Sequence, residues 1–108
     1  MYNESMVREV VEQKEAIASL CRDLGVERLY LFGSGASEVS MADVHDLDFL
    51  VRFKPEDSEK HPHRHFSLAE KLEELFKARV DLVEIDAIDN PYFQEAVDKT
   101  KVPVYESA

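Results

Sequence analysis

Little in this sequence points outside the cell or across a membrane. It has a single cysteine, Cys21, so no disulfide can close within the chain. A cytoplasmic home is the expectation, because thiols stay reduced there. No apolar run approaches the roughly 20 residues that span a bilayer, and the opening "MYNESMVREVVEQKE" lacks the basic-then-apolar pattern of a leader peptide. Cations are also scarce: 13 Lys and Arg against 23 Asp and Glu give a net charge of −10. Such a surface repels phosphate backbones, which argues against direct nucleic-acid binding. It suits a basic protein partner or a site that gathers divalent cations. Much of the charge alternates in sign along helical stretches and serves solubility.

What is present reads as one globular domain, residues 1–108, with 44% hydrophobic and 33% charged residues. There are no repeats, low-complexity tracts or linkers. Met6, Val7, Val10, Val11, Ile17, Leu20, Cys21 and Leu24 recur at helical spacing. They predict one amphipathic helix of about five or six turns, capped by Asn3 or Ser5 and ended by Gly25. Cys21 lies on its apolar side, as a small core residue rather than a nucleophile. "ERLYLFG" predicts a short buried strand, and 34–39 could hold a turn of helix. "DLDFLVRF" alternates, with Leu47, Phe49, Val51 and Phe53 on one face and Asp46, Asp48, Leu50 and Arg52 on the other. "KPEDSEKHPHRH" predicts a loop. "FSLAEKLEELFKA" predicts a helix with Leu68, Leu72, Leu75 and Phe76 inward and Ser67 as a possible cap. "RVDLVEI" predicts a strand, "NPYFQEAVDKT" a helix opened by Asn-Pro, and "VPVYE" a last strand or an extended tail. The fold class is therefore α/β: a short mixed β-sheet with packed α-helices.

Aspartate is a poor strand former, yet Asp46 and Asp48 head an apolar strand and Asp81 sits inside another. Carboxylates at i and i+2 point the same way and repel one another. A divalent cation between them reverses that, and hard cations such as Mg²⁺ take carboxylate and phosphate oxygens. If the two strands are neighbours, three carboxylates converge on one edge of the sheet. Gly33 lets the backbone approach a ligand closely. Ser34, at a helix N-terminus, would add a hydroxyl and free N–H groups for an anion. Phosphate on one side and metal-holding carboxylates on the other suit phosphoryl or nucleotidyl transfer. The plainer alternatives are a solvated strand start, a salt bridge from Asp81 to Arg79, and an ordinary turn at Gly33-Ser34.

These residues also carry a family resemblance. "LYLFGSGASEVSMADVHDLDFLVRF" followed by "ARVDLVEI" resembles the polymerase-β-type nucleotidyltransferase superfamily, and most of all its minimal nucleotidyltransferase (MNT) group, the antitoxins of HEPN/MNT toxin–antitoxin pairs. The family pattern of Gly-Ser, a spacer, Asp-x-Asp and a later Asp falls on Gly33, Ser34, Asp46, Asp48 and Asp81. The resemblance implies ATP as nucleotide donor bound at Gly33 and Ser34. It implies Mg²⁺ held by Asp46, Asp48 and Asp81, which would also be the catalytic residues. It further implies transfer of AMP to a tyrosine of a partner HEPN-domain ribonuclease, with the two chains forming a hetero-oligomer. The chain departs from the pattern in Gly35-Ala36-Ser37-Glu38, where an arginine is common, in a spacer one residue longer than usual, and in His45, where serine is common.

Two function classes follow: an adenylyltransferase acting on a protein, favoured by the intact carboxylates, and a binding module that neutralises its toxin by complex formation, favoured by the less basic phosphate loop. A transferase for a small hydroxylated molecule is a third, without a recognisable domain to hold its substrate. His61, His63 and His65 could bind Zn or Ni, but no cysteine or fixed-spacing partner accompanies them, so they read as a polar loop. His45 reads as a loop residue, and Tyr30, Tyr92 and Tyr105 as packing residues.

Overall fold

The computed structural model describes residues 8–32, 46–55 and 63–107. Helices α1 (Arg8–Glu12) and α2 (Lys14–Asp23) lead into strand β1 (Val26–Phe32). Strand β2 (Asp46–Phe53), helix α3 (Arg64–Phe76) and strand β3 (Arg79–Glu84) follow. A 3₁₀ turn (Ile85–Ala87), helix α4 (Pro91–Thr100) and strand β4 (Val102–Glu106) complete the order. The four strands lie β3-β2-β1-β4. β1 is antiparallel to both β2 and β4, whereas β2 and β3 are parallel. The mixed α/β sheet is thus as expected, and "VPVYE" is a paired strand rather than a tail.

Alternation along β1 and β2 sorts the two faces. Leu29, Leu31, Leu47, Phe49, Val51 and Phe53 all point into the main core, under Ile17 and Cys21 of α2 and Leu68, Leu72 and Phe76 of α3. Phe49 stacks on Phe76 with ring centroids 6.3 Å apart. Full burial of such side chains stabilises the fold by about 1.5–3 kcal/mol each. The opposite face carries a second, smaller cluster of Phe32, Leu50 and Val97, with Tyr30, Val83, Ile85 and Ile88 around it. Helix α4 therefore packs on the face that also carries Asp48.

Two helix boundaries differ from expectation. The long N-terminal helix is interrupted at Gln13, whose φ −98° and ψ 15° leave the helical well. The β-branched pair Val10-Val11 precedes the break and holds a helix poorly. Val10 and Ile17, seven positions apart, are nevertheless both buried, because that spacing returns to the same face. Val11 is 41% exposed and is not a core residue; Met6, Val7, Asn3 and Ser5 lie outside the described residues. Helix α3 begins at Arg64, not Phe66, so Ser67 is inside the helix and is not its cap. Arg64 explains the early start. Its Nη1 donates to the Lys54 carbonyl at 2.8 Å, and its guanidinium sits 4.5 Å from the Phe53 ring centre. The first turn is thereby tied to the end of β2.

Three local devices set the remaining ends. Gly25 takes φ 70° after α2, as expected, and its carbonyl accepts from Lys54 N–H at 2.8 Å. Asn90 caps α4, its Oδ1 accepting from the N–H groups of Tyr92 and Phe93, with Pro91 in the first turn. Glu73 closes the α3–β3 turn twice, its carbonyl accepting from Lys77 N–H at 2.7 Å and its Oε2 from Val80 N–H at 3.1 Å.

Two measurements test these points. Lys77 adopts φ 54°, a left-handed conformation that costs a side-chain-bearing residue about 1 kcal/mol or more. Lys77→Gly should therefore raise the free energy of unfolding by about 1 kcal/mol in urea titration; a loss of stability would refute that account. Burial pushes the Cys21 thiol up from 9.0 to about 12, against a smaller lowering by Arg22. The unfolded chain then releases this proton first. Cys21 should lower stability as pH rises from 9.0 towards about 12, and a Cys21→Ala variant should lack that slope.

Candidate active site

The site is built from the pairing of two strands. β2 and β3 run parallel with Asp48 opposite Asp81, Leu47 opposite Val80 and Phe49 opposite Leu82. Residues opposite each other in a ladder project to the same face, so the Asp48 and Asp81 side chains share one. Adjacent strands are about 4.8 Å apart, which brings the two carboxyl-bearing positions together from 33 residues apart in sequence. Val80 and Leu82 anchor this register by facing the main core. Shifting β3 by one residue would put both in solvent and bury Asp81.

The expected residues fall as follows. Asp48 is half-buried, and Asp81 is exposed on the outer strand of the sheet. Apolar residues flank Asp81 in the sequence, yet Asp81 itself is solvent-exposed. The backbone of Asp46 heads β2 opposite Arg79, while its side chain lies outside the described set. Gly33, Ser34, His45 and His61, with residues 34–39, also lie outside the described residues. Hard divalent cations take carboxylate oxygens, so the Asp48–Asp81 juxtaposition has the donor chemistry for Mg²⁺. Among the described residues, no group of three or more His, Cys, Asp or Glu side chains is placed to hold a metal ion.

Beside the acid pair lies a feature that sequence reasoning missed. A groove of about 330 Å³ is lined by Val83, Ala87, Ile88, Asp89, Asn90 and Phe93. Val83 follows Asp81 by two residues, on the same face of β3. The Phe93 ring packs edge-on against Phe32 at 6.1 Å, and Phe32 pairs opposite Asp48. The only advance signal was an apolar residue near the start of an amphipathic helix. A larger groove of about 660 Å³ runs between Lys14 and Ala18 of α2 and strand β4. It lies at the opposite edge of the sheet, with β1 between β4 and the acid-bearing strands.

The histidines and tyrosines need correction. His65 is not in a loop: it lies in the first turn of α3, and its Nδ1 hydrogen-bonds Glu84 Oε2 at 2.8 Å. His63 stands at the N-cap of the same helix and is exposed. Tyr30 and Tyr105 do pack, but Tyr92 is 84% exposed and is not a packing residue.

Residues 14–108 match the family model described as "Polymerase beta, Nucleotidyltransferase". The chain belongs to this nucleotidyltransferase family. A solved structure assigned as a minimal nucleotidyltransferase is 32% identical, with a TM-score of 0.67 over 86% of this chain and 90% of that one. The fold is also shared with the complex of tri-AMPylated Shewanella oneidensis HEPN toxin with MNT antitoxin, at 19% identity and a TM-score of 0.60 over 91% of this chain and 73% of that one. A toxin–antitoxin structure with AMP-PNP aligns at 22% identity and a TM-score of 0.59, over 87% and 73%. Comparison with curated proteins gave no match. Among the described residues of this family member, no helix is long and apolar enough to cross a membrane.

Like charges directly opposite in a ladder are destabilising. Asp81→Asn in the metal-free protein should therefore raise stability by a few tenths of a kcal/mol and abolish any rise in melting temperature on adding Mg²⁺. An unchanged Mg²⁺ response in the variant would remove Asp81 from the metal site.

Proposed function

We propose that this chain is an Mg²⁺-dependent protein adenylyltransferase that moves AMP from ATP to a tyrosine hydroxyl of a HEPN-domain toxin and so acts as its antitoxin. The observation that carries the reading is the in-register pair Asp48–Asp81 in a member of a nucleotidyltransferase family. Two neighbours of the same fold add support: one is an MNT antitoxin in complex with a tri-AMPylated HEPN toxin, the other a toxin–antitoxin structure with AMP-PNP.

Asp46, Asp48 and Asp81 are the proposed metal-holding and catalytic residues, with Gly33 and Ser34 on the phosphates. Bound Mg²⁺ would supply charge neutralisation on the triphosphate and on the leaving pyrophosphate. Asp48, half-buried between neighbouring strands, is held rigidly by the sheet and fixes the position of the donor. Asp81 is exposed on the outer strand, so a hydroxyl on another protein can reach it. In this reading its carboxylate takes the acceptor's proton. The tyrosine oxygen then bonds to the α-phosphorus, the bond from that phosphorus to the bridging oxygen breaks, and pyrophosphate leaves. The acceptor comes on a folded partner because the described residues of this chain offer shallow grooves rather than a deep pocket. The net charge of −10 suits a basic partner.

The second reading, a binding module that silences its toxin by occlusion, is favoured by one observation. Gly35-Ala36-Ser37-Glu38 carries no cation where family members often have arginine. Mixing the chain with its HEPN partner, ATP and Mg²⁺ and weighing the partner by mass spectrometry separates the two. A gain of one or more AMP masses, lost on Asp48→Asn by a factor of about a hundred or more, is expected. Full ribonuclease inhibition without any mass gain, and equal in Asp48→Asn, would establish the occluding module instead.

A further inference from the structure

We propose that the groove lined by Val83, Ala87, Ile88, Asp89, Asn90 and Phe93 takes the base of a purine nucleoside triphosphate. The proposal rests on the transferase reading above and adds where, and by what chemistry, the donor's base is held. Position is the first ground. Val83 lies about 6.5 Å along β3 from Asp81, on the same face. Phe93 reaches the same face from α4, its ring against Phe32, the residue opposite Asp48. The groove therefore lies on the face of the sheet that carries both carboxylates, displaced towards the C-terminal end of β3. A triphosphate held at Asp48 and Asp81 has its nucleoside end free to lie there.

Shape and surface are the second ground. Val83 and Ile88 give an aliphatic wall, and Phe93, 40% exposed, gives an aromatic one. Bases are flat and apolar on their faces, and stacking on an aromatic ring rewards area, so a two-ring base gains more than a one-ring base. The groove's about 330 Å³ admits two rings. The wall is also fixed in place. Asn90 caps α4 and sets the direction of Phe93. Arg52 Nη2 meets Asp86 Oδ1 at 3.2 Å, holding the 3₁₀ turn over β2.

The rim supplies the third ground. Asn90 lines the groove, and its Oδ1 already accepts from the N–H groups of Tyr92 and Phe93, so what it has to offer a ligand is the donor of its amide, Nδ2. Asp89 is acceptor-only when ionised. Neighbouring donor and acceptor groups are what the edge of a base presents in complement: the adenine amino group beside a ring nitrogen, or the guanine ring N–H beside its carbonyl.

The test is calorimetric titration of the full chain with Mg²⁺ and, in turn, ATP, CTP and tripolyphosphate. Wild type should bind ATP several-fold more tightly than CTP. Phe93→Leu keeps an apolar side chain on Phe32 but removes the ring, and Ala87→Met narrows the groove from an exposed position. Each should weaken ATP by roughly tenfold and leave tripolyphosphate unchanged. ATP binding equal to wild type in both variants would overturn the base subsite while leaving the transferase intact. Parallel loss of tripolyphosphate would also overturn it, by showing that the changes disturb the phosphate site or the fold. Wild-type protein that binds neither ATP nor tripolyphosphate would overturn both readings.

Discussion

Everything proposed for this protein depends on the parallel pairing of β2 with β3. Parallel strands need a crossover, here supplied by α3, and that helix must also bury Leu68, Leu72 and Phe76 against the sheet. The register is then enforced by Val80 and Leu82 on the core side, so the opposite side must carry Asp81 next to Asp48. The apolar contacts fix the geometry of the charged ones. The repulsion between the two carboxylates is a few tenths of a kcal/mol or somewhat more, small against the burial that holds the register. The core packing can therefore hold the two carboxylates in register at that cost, as the proposed cation site requires.

The two faces of the sheet divide the work. One is closed by α2 and α3 and forms the main core. The other is only partly covered: α4 protects Phe32 and Leu50 through Val97, and leaves open the groove beside Val83. A strand such as β2 thus alternates between a fully apolar side and one that changes from Asp48 to Leu50 to Arg52 along its length. The change in character along that face separates an acidic region from an apolar one within a few residues.

Much of this was legible in the sequence, because period-two and helical patterns follow directly from which side is buried. The β2 faces, the α3 stripe, the Asn90 cap and the Gly25 stop all came from local chemistry. So did the suspicion about Asp48 and Asp81, since a charge in a strand contradicts its propensity. The interruption at Gln13 was hidden because Val10 and Ile17 keep the same phase across it. The start of α3 was hidden because Arg64 acts through Lys54 and Phe53, ten or so positions away, and no local pattern records that. His65 was misread for the same reason: its partner, Glu84, is far away in sequence, on β3. The groove at Phe93 depends on three separate elements meeting, which periodicity does not report.

β3 stands at the rim of the sheet, with a row of backbone groups turned away from β2. Such a rim invites a second chain to add a strand and begin a fibrous stack. Arg79, Asp81 and Glu84 place charge along this short rim. A stacking copy would have to align like charges with its own or strip water from them. The aspartate proposed for chemistry thus also adds charge to an open edge, and exchanging it for valine would make that edge more apolar and more prone to pairing.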